Sequence, residues 1–148
     1  MQLNSINNLL KLEKNMFTKA SKSELLAAAK DWLGYEDPDA FLTFRHFRKF
    51  DGFARLAPKG GATFCAVALP NKGKLVFAYA LCSDKDMFNK TLGREIAYGR
   101  LTADSHTFET SYEPNVPISR QIEDFIWSAD TGFSIDDMAV YRADGKYL

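Results

Sequence analysis

The sequence predicts an α+β fold: a small antiparallel sheet built on a central hairpin and packed by a central helix. Further helices are expected at the N-terminus, and one toward the C-terminus. Three observations predict this. Two apolar runs, Ala62–Leu69 and Lys74–Cys82, flank the tight turn Pro70-Asn71-Lys72-Gly73. A helix-like, glycine-bearing segment, Asp84 to Leu101, follows the second run directly. Near the N-terminus, Ser21-Lys22-Ser23-Glu24 has the form of a capping box, in which serine and glutamate each satisfy an amide the first helical turn leaves free.

In chain order, Leu3, Ile6, Leu9, Leu10 and Phe17 recur at helical intervals, which predicts a first helix ending near Asn15. The capping box opens a second helix with Leu25, Leu26, Ala29, Trp32 and Leu33 on its apolar face and Gly34 as its stop. Asp37-Pro38 reads as another helix start, with aspartate at the cap and proline in the first turn. Phe41, Phe44, Phe47, Phe50 and Phe53 then fall at every third position. That spacing drifts around a helix, so a short helix to about Lys49, a turn at Asp51-Gly52 and a strand from Phe53 are expected. Pro58-Lys59-Gly60-Gly61 reads as a flexible entry to the hairpin, whose strands are apolar on both faces and so belong inside a covered sheet. The turn sets a register: Leu69 faces Lys74, Cys65 faces Ala78, and Cys82 lies opposite Gly61.

The following helix is expected to cap at Ser83 or Asp84 and to turn Phe88, Leu92, Ile96 and Gly99 toward the sheet. Thr107–Tyr112 alternates like an edge strand. Pro114 and Pro117 precede a helix over about Ile118–Ser128 with Ile122, Phe125 and Ile126 inward, and Ala139–Arg142 reads as a last strand. One domain of 148 residues is expected, with a helical part over 1–49, a hairpin–helix core over 50–101 and an acidic part over 102–148.

Composition narrows the classes. Apolar content of 46% and 12 phenylalanines argue for a ring-built core and against disorder. No apolar run reaches the roughly 18 residues a membrane span needs, and the first residues lack a signal-peptide pattern, so a cytoplasmic location is expected. The predicted register keeps Cys65 and Cys82 too far apart to bridge, which suits a reducing compartment. Net charge is zero, yet residues 1–103 carry 16 Lys/Arg against 10 Asp/Glu, while residues 104–148 carry 3 against 9. Such polarity suits a partner that meets one face, or head-to-tail self-contact in a homo-oligomer.

Two groups stand out as candidate binding residues. Lys90, Arg94 and Tyr98 recur at helical spacing and would share the outward face of the central helix, suited to phosphate, nucleotide or an acidic protein surface. Arg45, Arg48, Lys49 and Arg55 interleave with phenylalanines, a mixture that can stack bases while touching phosphates. Gly93, Ala97 and Gly99 give that helix a low-relief flank for close packing on the sheet. His46 and His106 lie beside no plausible nucleophile and in no metal-ligand spacing, and no redox, zinc-protease, Walker or nucleophile-elbow motif occurs. The reading is therefore non-enzymatic, with no cofactor and no metal. An enzyme would require a polar pocket around His46 or His106.

The string Cys82-Ser83-Asp84-Lys85-Asp86-Met87-Phe88-Asn89-Lys90-Thr91-Leu92-Gly93-Arg94-Glu95-Ile96-Ala97-Tyr98-Gly99-Arg100-Leu101 resembles a group of small accessory proteins of tailed phages. In these a β-hairpin enters a helix patterned D-x-F-N/S-K-x-x-G-R-x-I-A-x-G-R. The likeness covers residues 50–101, with Phe50–Arg55 and Lys59-Gly60-Gly61 in keeping. A looser strand-then-helix likeness extends to phage sponge proteins that sequester signalling nucleotides of the Thoeris defence system, and no binding residues follow from it. The resemblance implies an anti-defence inhibitor acting by stoichiometric binding in the host bacterial cytosol, on a CRISPR complex, another host protein or a defence signal. The helices of 1–49, outside the likeness, are where a target-specific addition is expected. Direct nucleic-acid or nucleotide binding is the alternative.

Overall fold

The structure, a computed structural model, describes residues 20–51, 55–83, 85–103, 107–128 and 141–143. The expected first helix, Phe53, Asp84 and His106 lie outside the described residues. Helix α1 spans Lys22–Leu33. Its capping box forms as expected: the Glu24 N–H donates to Ser21 Oγ at 3.2 Å and the Ser21 N–H to Glu24 Oε1 at 3.3 Å. Gly34 ends the helix in the left-handed region at φ 74°, its N–H donating to Lys30 O. Ala29 is fully buried and Leu25, Leu26 and Leu33 pack beside it, but Trp32 at the helix end is 50% exposed.

Asp37-Pro38 starts no helix. The Asp37 carboxylate is buried and accepts from Asp39 N at 2.9 Å, Asn71 N at 2.9 Å and Asn71 Nδ2 at 2.7 Å. It ties the segment before the first strand to the hairpin turn, so the same side chain that could cap a helix satisfies another loop instead.

The phenylalanine-rich segment is a strand, β1, Phe41–Asp51, and not a short helix. An interval of three is odd, so in a strand successive rings alternate faces. Phe47 enters the core on one side of the sheet and Phe44 packs on the other. Pairing with a neighbouring strand makes that alternation favourable, and the neighbour is far along the chain. Strand β2, Arg55–Leu56, pairs with the end of β1.

Strands β3, Ala62–Leu69, and β4, Lys74–Leu81, form the hairpin around a 3-10 turn at Pro70–Lys72. The register is the one the turn dictates: Leu69 opposite Lys74 and Cys65 opposite Ala78, with the Cys82 N–H donating to Gly61 O at 2.8 Å. Both cysteines are free thiols. Burial pushes the Cys65 thiol far above its ordinary pKa, which leaves it inert. The entry to β3 is packed and not loose. Gly61 is buried at φ 107°, where an added Cβ would lie 2.7 Å from the Phe88 ring.

Strand β5, Phe108–Ser111, pairs with β4, and β6, Tyr141–Ala143, with β1 across from β3. All these pairings are antiparallel, and β1, β3, β4 and β5 lie side by side in the order β1-β3-β4-β5. Helix α2 spans Lys90–Thr102 and α3 spans Ile118–Ser128.

The sheet is covered on both faces, the reason its central strands are apolar throughout. One face, with Ala62, Phe64, Ala66, Ala68, Leu75 and Phe77, packs on Ile118, Ile122 and Ile126 of α3. The other, with Cys65, Val67, Leu69, Val76 and Ala78, packs on Ala29 of α1 and Ala97, Tyr98 and Leu101 of α2. The result is three layers, helices on either side of one antiparallel sheet.

Helix α2 departs from expectation twice. It begins at Lys90, capped by Asn89, whose Oδ1 accepts from Leu92 N at 3.0 Å. The residues before it pair instead with the entry to β3: the Phe88 N–H donates to Pro58 O and the Gly60 N–H to Asp86 O. The helix is also rotated. Leu92 is 45% exposed and Ile96 39%, while Ala97, Tyr98 and Leu101 are buried. Gly93 explains the rotation, because a Cβ there would stand 2.9 Å from Thr63 Cβ on β3. The smallest residue of the helix lies where the backbone meets the sheet, and larger side chains are excluded from that line.

Candidate functional site

The starts of α1 and α2 and the first half of β1 converge on a groove of about 500 Å³. It is lined by Lys22 and Leu25 from α1, Thr43 to His46 from β1, and Thr91 and Arg94 from α2, with Ala20 at one end. Three cations from three elements line it, and among the described residues no carboxylate does.

Each arginine is held by a threonine near it in sequence. Arg45 Nη1 donates to Thr43 Oγ1 and to Phe44 O. Arg94 Nη2 donates to Thr91 Oγ1 at 3.4 Å. Neither Arg45, Arg94 nor Lys22 makes an ion pair among the described residues. Burial lowers the Arg45 pKa, the mark of a guanidinium that has lost part of its hydration and gained no counter-charge in return.

His46 completes the wall. Its Nδ1 lies 2.9 Å from Thr63 Oγ1, and its ring meets the Phe88 ring edge-on at 5.7 Å. A polar recess around His46 is the condition an enzyme would have to meet. The groove supplies such a recess, with His46 beside Thr43, Arg45, Thr91 and Arg94, while Thr63, the partner of its Nδ1, is 1% exposed and lies under Gly93.

The expected basic face of α2 does not form as a row. Arg94 is half-buried at the groove, Lys90 is exposed at the helix start, and Tyr98 points inward. The Tyr98 hydroxyl donates to Leu25 O at 2.8 Å, which fastens α2 to α1. The rotation that puts Gly93 on the sheet necessarily carries Tyr98 under α1. The expected patch on β1 is divided as well. Arg45 reaches the groove, whereas Arg48 lies 4.4 Å over the Phe88 ring and donates to Ala57 O at 3.0 Å. Strand alternation puts Arg48 on the face of Phe44 and His46, toward α1 and α2, and Arg45, opposite Phe64, on the α3 face, so Arg45 borders the groove from the edge of β1. The side chains of Lys49 and Arg55 lie outside the described residues; their backbones pair with Tyr141 and Asp51.

No family model, curated protein or solved structure matches the chain.

Besides the groove, the outer face of α2 stands out. Leu92 and Ile96, one turn apart, and Met87, 63% exposed, are large apolar side chains facing water. Two exposed lysines lie beside Met87: Lys85 in sequence, and Lys59, whose backbone bridges to Met87. A second recess, about 370 Å³, lies between Trp32, Tyr35 and Phe108. Its carboxylate, Glu109, is already engaged by the Tyr35 hydroxyl at 2.9 Å and by Lys74 at 3.4 Å.

Sequence reasoning missed Lys22, which reads only as part of a cap, and placed Leu92 and Ile96 inward. The signal for the second was present. Gly93 and Ala97 share one stripe of α2, and two small residues one turn apart mark the side that lies closest to a sheet. Among the described residues no cluster of His, Cys, Asp and Glu is arranged to hold a metal, and no described helix is long and apolar enough to cross a membrane.

Proposed function

We propose that this chain is a non-enzymatic, phage-encoded inhibitor that binds a host defence or takeover protein stoichiometrically through the outer face of α2. One observation carries the reading: Leu92 and Ile96, one turn apart on α2, are exposed, as is Met87 just before the helix, and exposed Lys59 and Lys85 lie beside Met87 in pairing or sequence. Large apolar side chains exposed on one helix face, with lysines near them, have the composition of a protein interface, and a folded chain does not otherwise gain by wetting them. The sign of those lysines specifies the partner, a protein surface with an apolar pocket and an acidic border. The likeness to phage accessory proteins supplies the biological setting.

The test is capture of the target from nuclease-treated bacterial lysate by the tagged chain and by a Leu92→Asp/Ile96→Asp variant. Because both side chains face water, the variant should keep the wild-type fold, which circular dichroism checks. The reading expects a protein partner retained by the wild type and lost by the variant. That complex should also weaken only modestly with salt, unlike a nucleic-acid complex, whose affinity falls steeply. Equal retention by both proteins overturns the α2 face, and capture abolished by nuclease replaces a protein target with a nucleic acid.

A further inference from the structure

The groove between α1, β1 and α2 is a second surface, distinct in chemistry from the apolar face of α2, and its residues specify a different occupant. We propose that it binds a small phosphorylated ligand with the charge and size of a nucleoside diphosphate.

The cations set the charge. Lys22, Arg45 and Arg94 come from three separate elements, yet all three line one recess in which no carboxylate among the described residues takes part. The nearest acid on α1, Glu24, is bound in its own capping box by the Ser21 N–H and hydroxyl. The positive end of α1 is thereby already answered, so the side-chain cations, not a helix end, attract the ligand. Three positive groups suit more than one phosphoryl group.

Orientation follows from the threonines. Thr43 and Phe44 O occupy Nη1 of Arg45, and Thr91 lies against Nη2 of Arg94. A guanidinium held by neutral oxygens keeps its full charge and has donors left for a forked contact to phosphate oxygens. Carboxylate partners would have cancelled that charge.

Size and lining set the rest of the ligand. A volume of about 500 Å³ lies within the roughly 300–1,000 Å³ typical of small-molecule sites and far exceeds one phosphate. Leu25, Phe44 and Ala20 give the groove an apolar wall beside its cations. A phosphate chain joined to a flat ring system uses both parts. A nucleic-acid strand is a poorer fit, since the chain's net charge of zero gives a polyanion no extended basic track.

Isothermal titration of the full chain with ADP, pyrophosphate and inorganic phosphate at low salt tests the assignment. ADP should bind more tightly than pyrophosphate, and pyrophosphate more tightly than phosphate. Arg45→Gln and Arg94→Gln should each weaken ADP about tenfold or more, the effect of removing one charge-assisted hydrogen bond. Since Arg94 bonds only Thr91 among the described residues, its variant should melt with the wild type and separates lost binding from lost fold. Pyrophosphate binding equal to ADP overturns the nucleoside part of the assignment. No binding of any of the three at millimolar concentration, or binding unchanged in the double variant, overturns the site. None of these outcomes depends on the α2 face, whose test uses Leu92 and Ile96.

Discussion

Two glycines in one helix separate the consequences of space from those of helix propensity. Gly93 and Gly99 both lie inside α2, where glycine costs about 1 kcal/mol relative to alanine. At Gly99 an added Cβ meets nothing within 4 Å, so Gly99→Ala should stabilise the protein by about 0.5–1 kcal/mol. At Gly93 the same methyl collides with Thr63, and Gly93→Ala should destabilise by about 1–3 kcal/mol as the helix is lifted from the sheet. Urea midpoints at constant slope measure both, and two shifts of the same sign would contradict the packing described for α2. A third residue adds a pH dependence. Burial works to raise the Asp37 pKa, but hydrogen bonds from Asp39 and Asn71, with the charge of Lys72, bring it below its ordinary 3.8. A folded pKa below the unfolded one adds stability that is present above pH 3.8 and disappears as pH falls through the folded value. Asp37→Asn should therefore be less stable than the wild type at pH 7, with the gap narrowing below pH 3.8 in urea titrations run at both ends.

At the scale of elements, legibility follows how local the cause is. The start of α1 was readable because Ser21, Glu24 and Gly34 act within a turn of themselves. The hairpin register was readable because a short turn leaves little choice of pairing. Strand β1 was not, because its rings alternate usefully only once β3 lies beside it, with Phe44 opposite Cys65 and Phe47 opposite Ala62. The candidate site shows the same division. The sequence marks Arg45 as a cation interleaved with phenylalanines and Arg94 as part of a row with Lys90 and Tyr98, but their lining of one groove depends on β1 being a strand and on the turn of α2. Tyr98 was misplaced because the pattern Leu92–Ile96–Gly99 resembles an inward stripe until Gly93 is given the contact line. Its hydroxyl joins α2 to α1, and Tyr98→Phe should cost about 0.5–1.5 kcal/mol while leaving the ring packed. A urea midpoint unchanged by Tyr98→Phe would mean that the two helices are held by apolar packing alone.

At the scale of the whole molecule, the sheet is a shared wall, and neither helical layer has a core without it. Phe64 and Phe77 face α3, Cys65 and Val76 face α1 and α2, and both sets sit on the same two strands. Losing one face should therefore release the other. The chain has two tryptophans, Trp32 in α1 and Trp127 in α3. In Trp127→Phe, fluorescence follows α1; in Trp32→Phe, it follows α3. Phe77 is fully buried and meets Phe64, Phe108 and Phe125 at ring-centroid distances of 6.0, 5.8 and 5.3 Å, all on the α3 side. Phe77→Ala should cost about 3–5 kcal/mol, the price of a large cavity. If the layers are coupled through the sheet, that substitution lowers the urea midpoint reported by Trp32 as much as the one reported by Trp127, although Trp32 sits across the sheet from the cavity. Two midpoints that separate, with the α3 signal lost first and the Trp32 signal unmoved, would show that the α1–α2 layer holds the sheet by itself. The groove and the exposed face of α2 would then belong to a unit able to fold without α3.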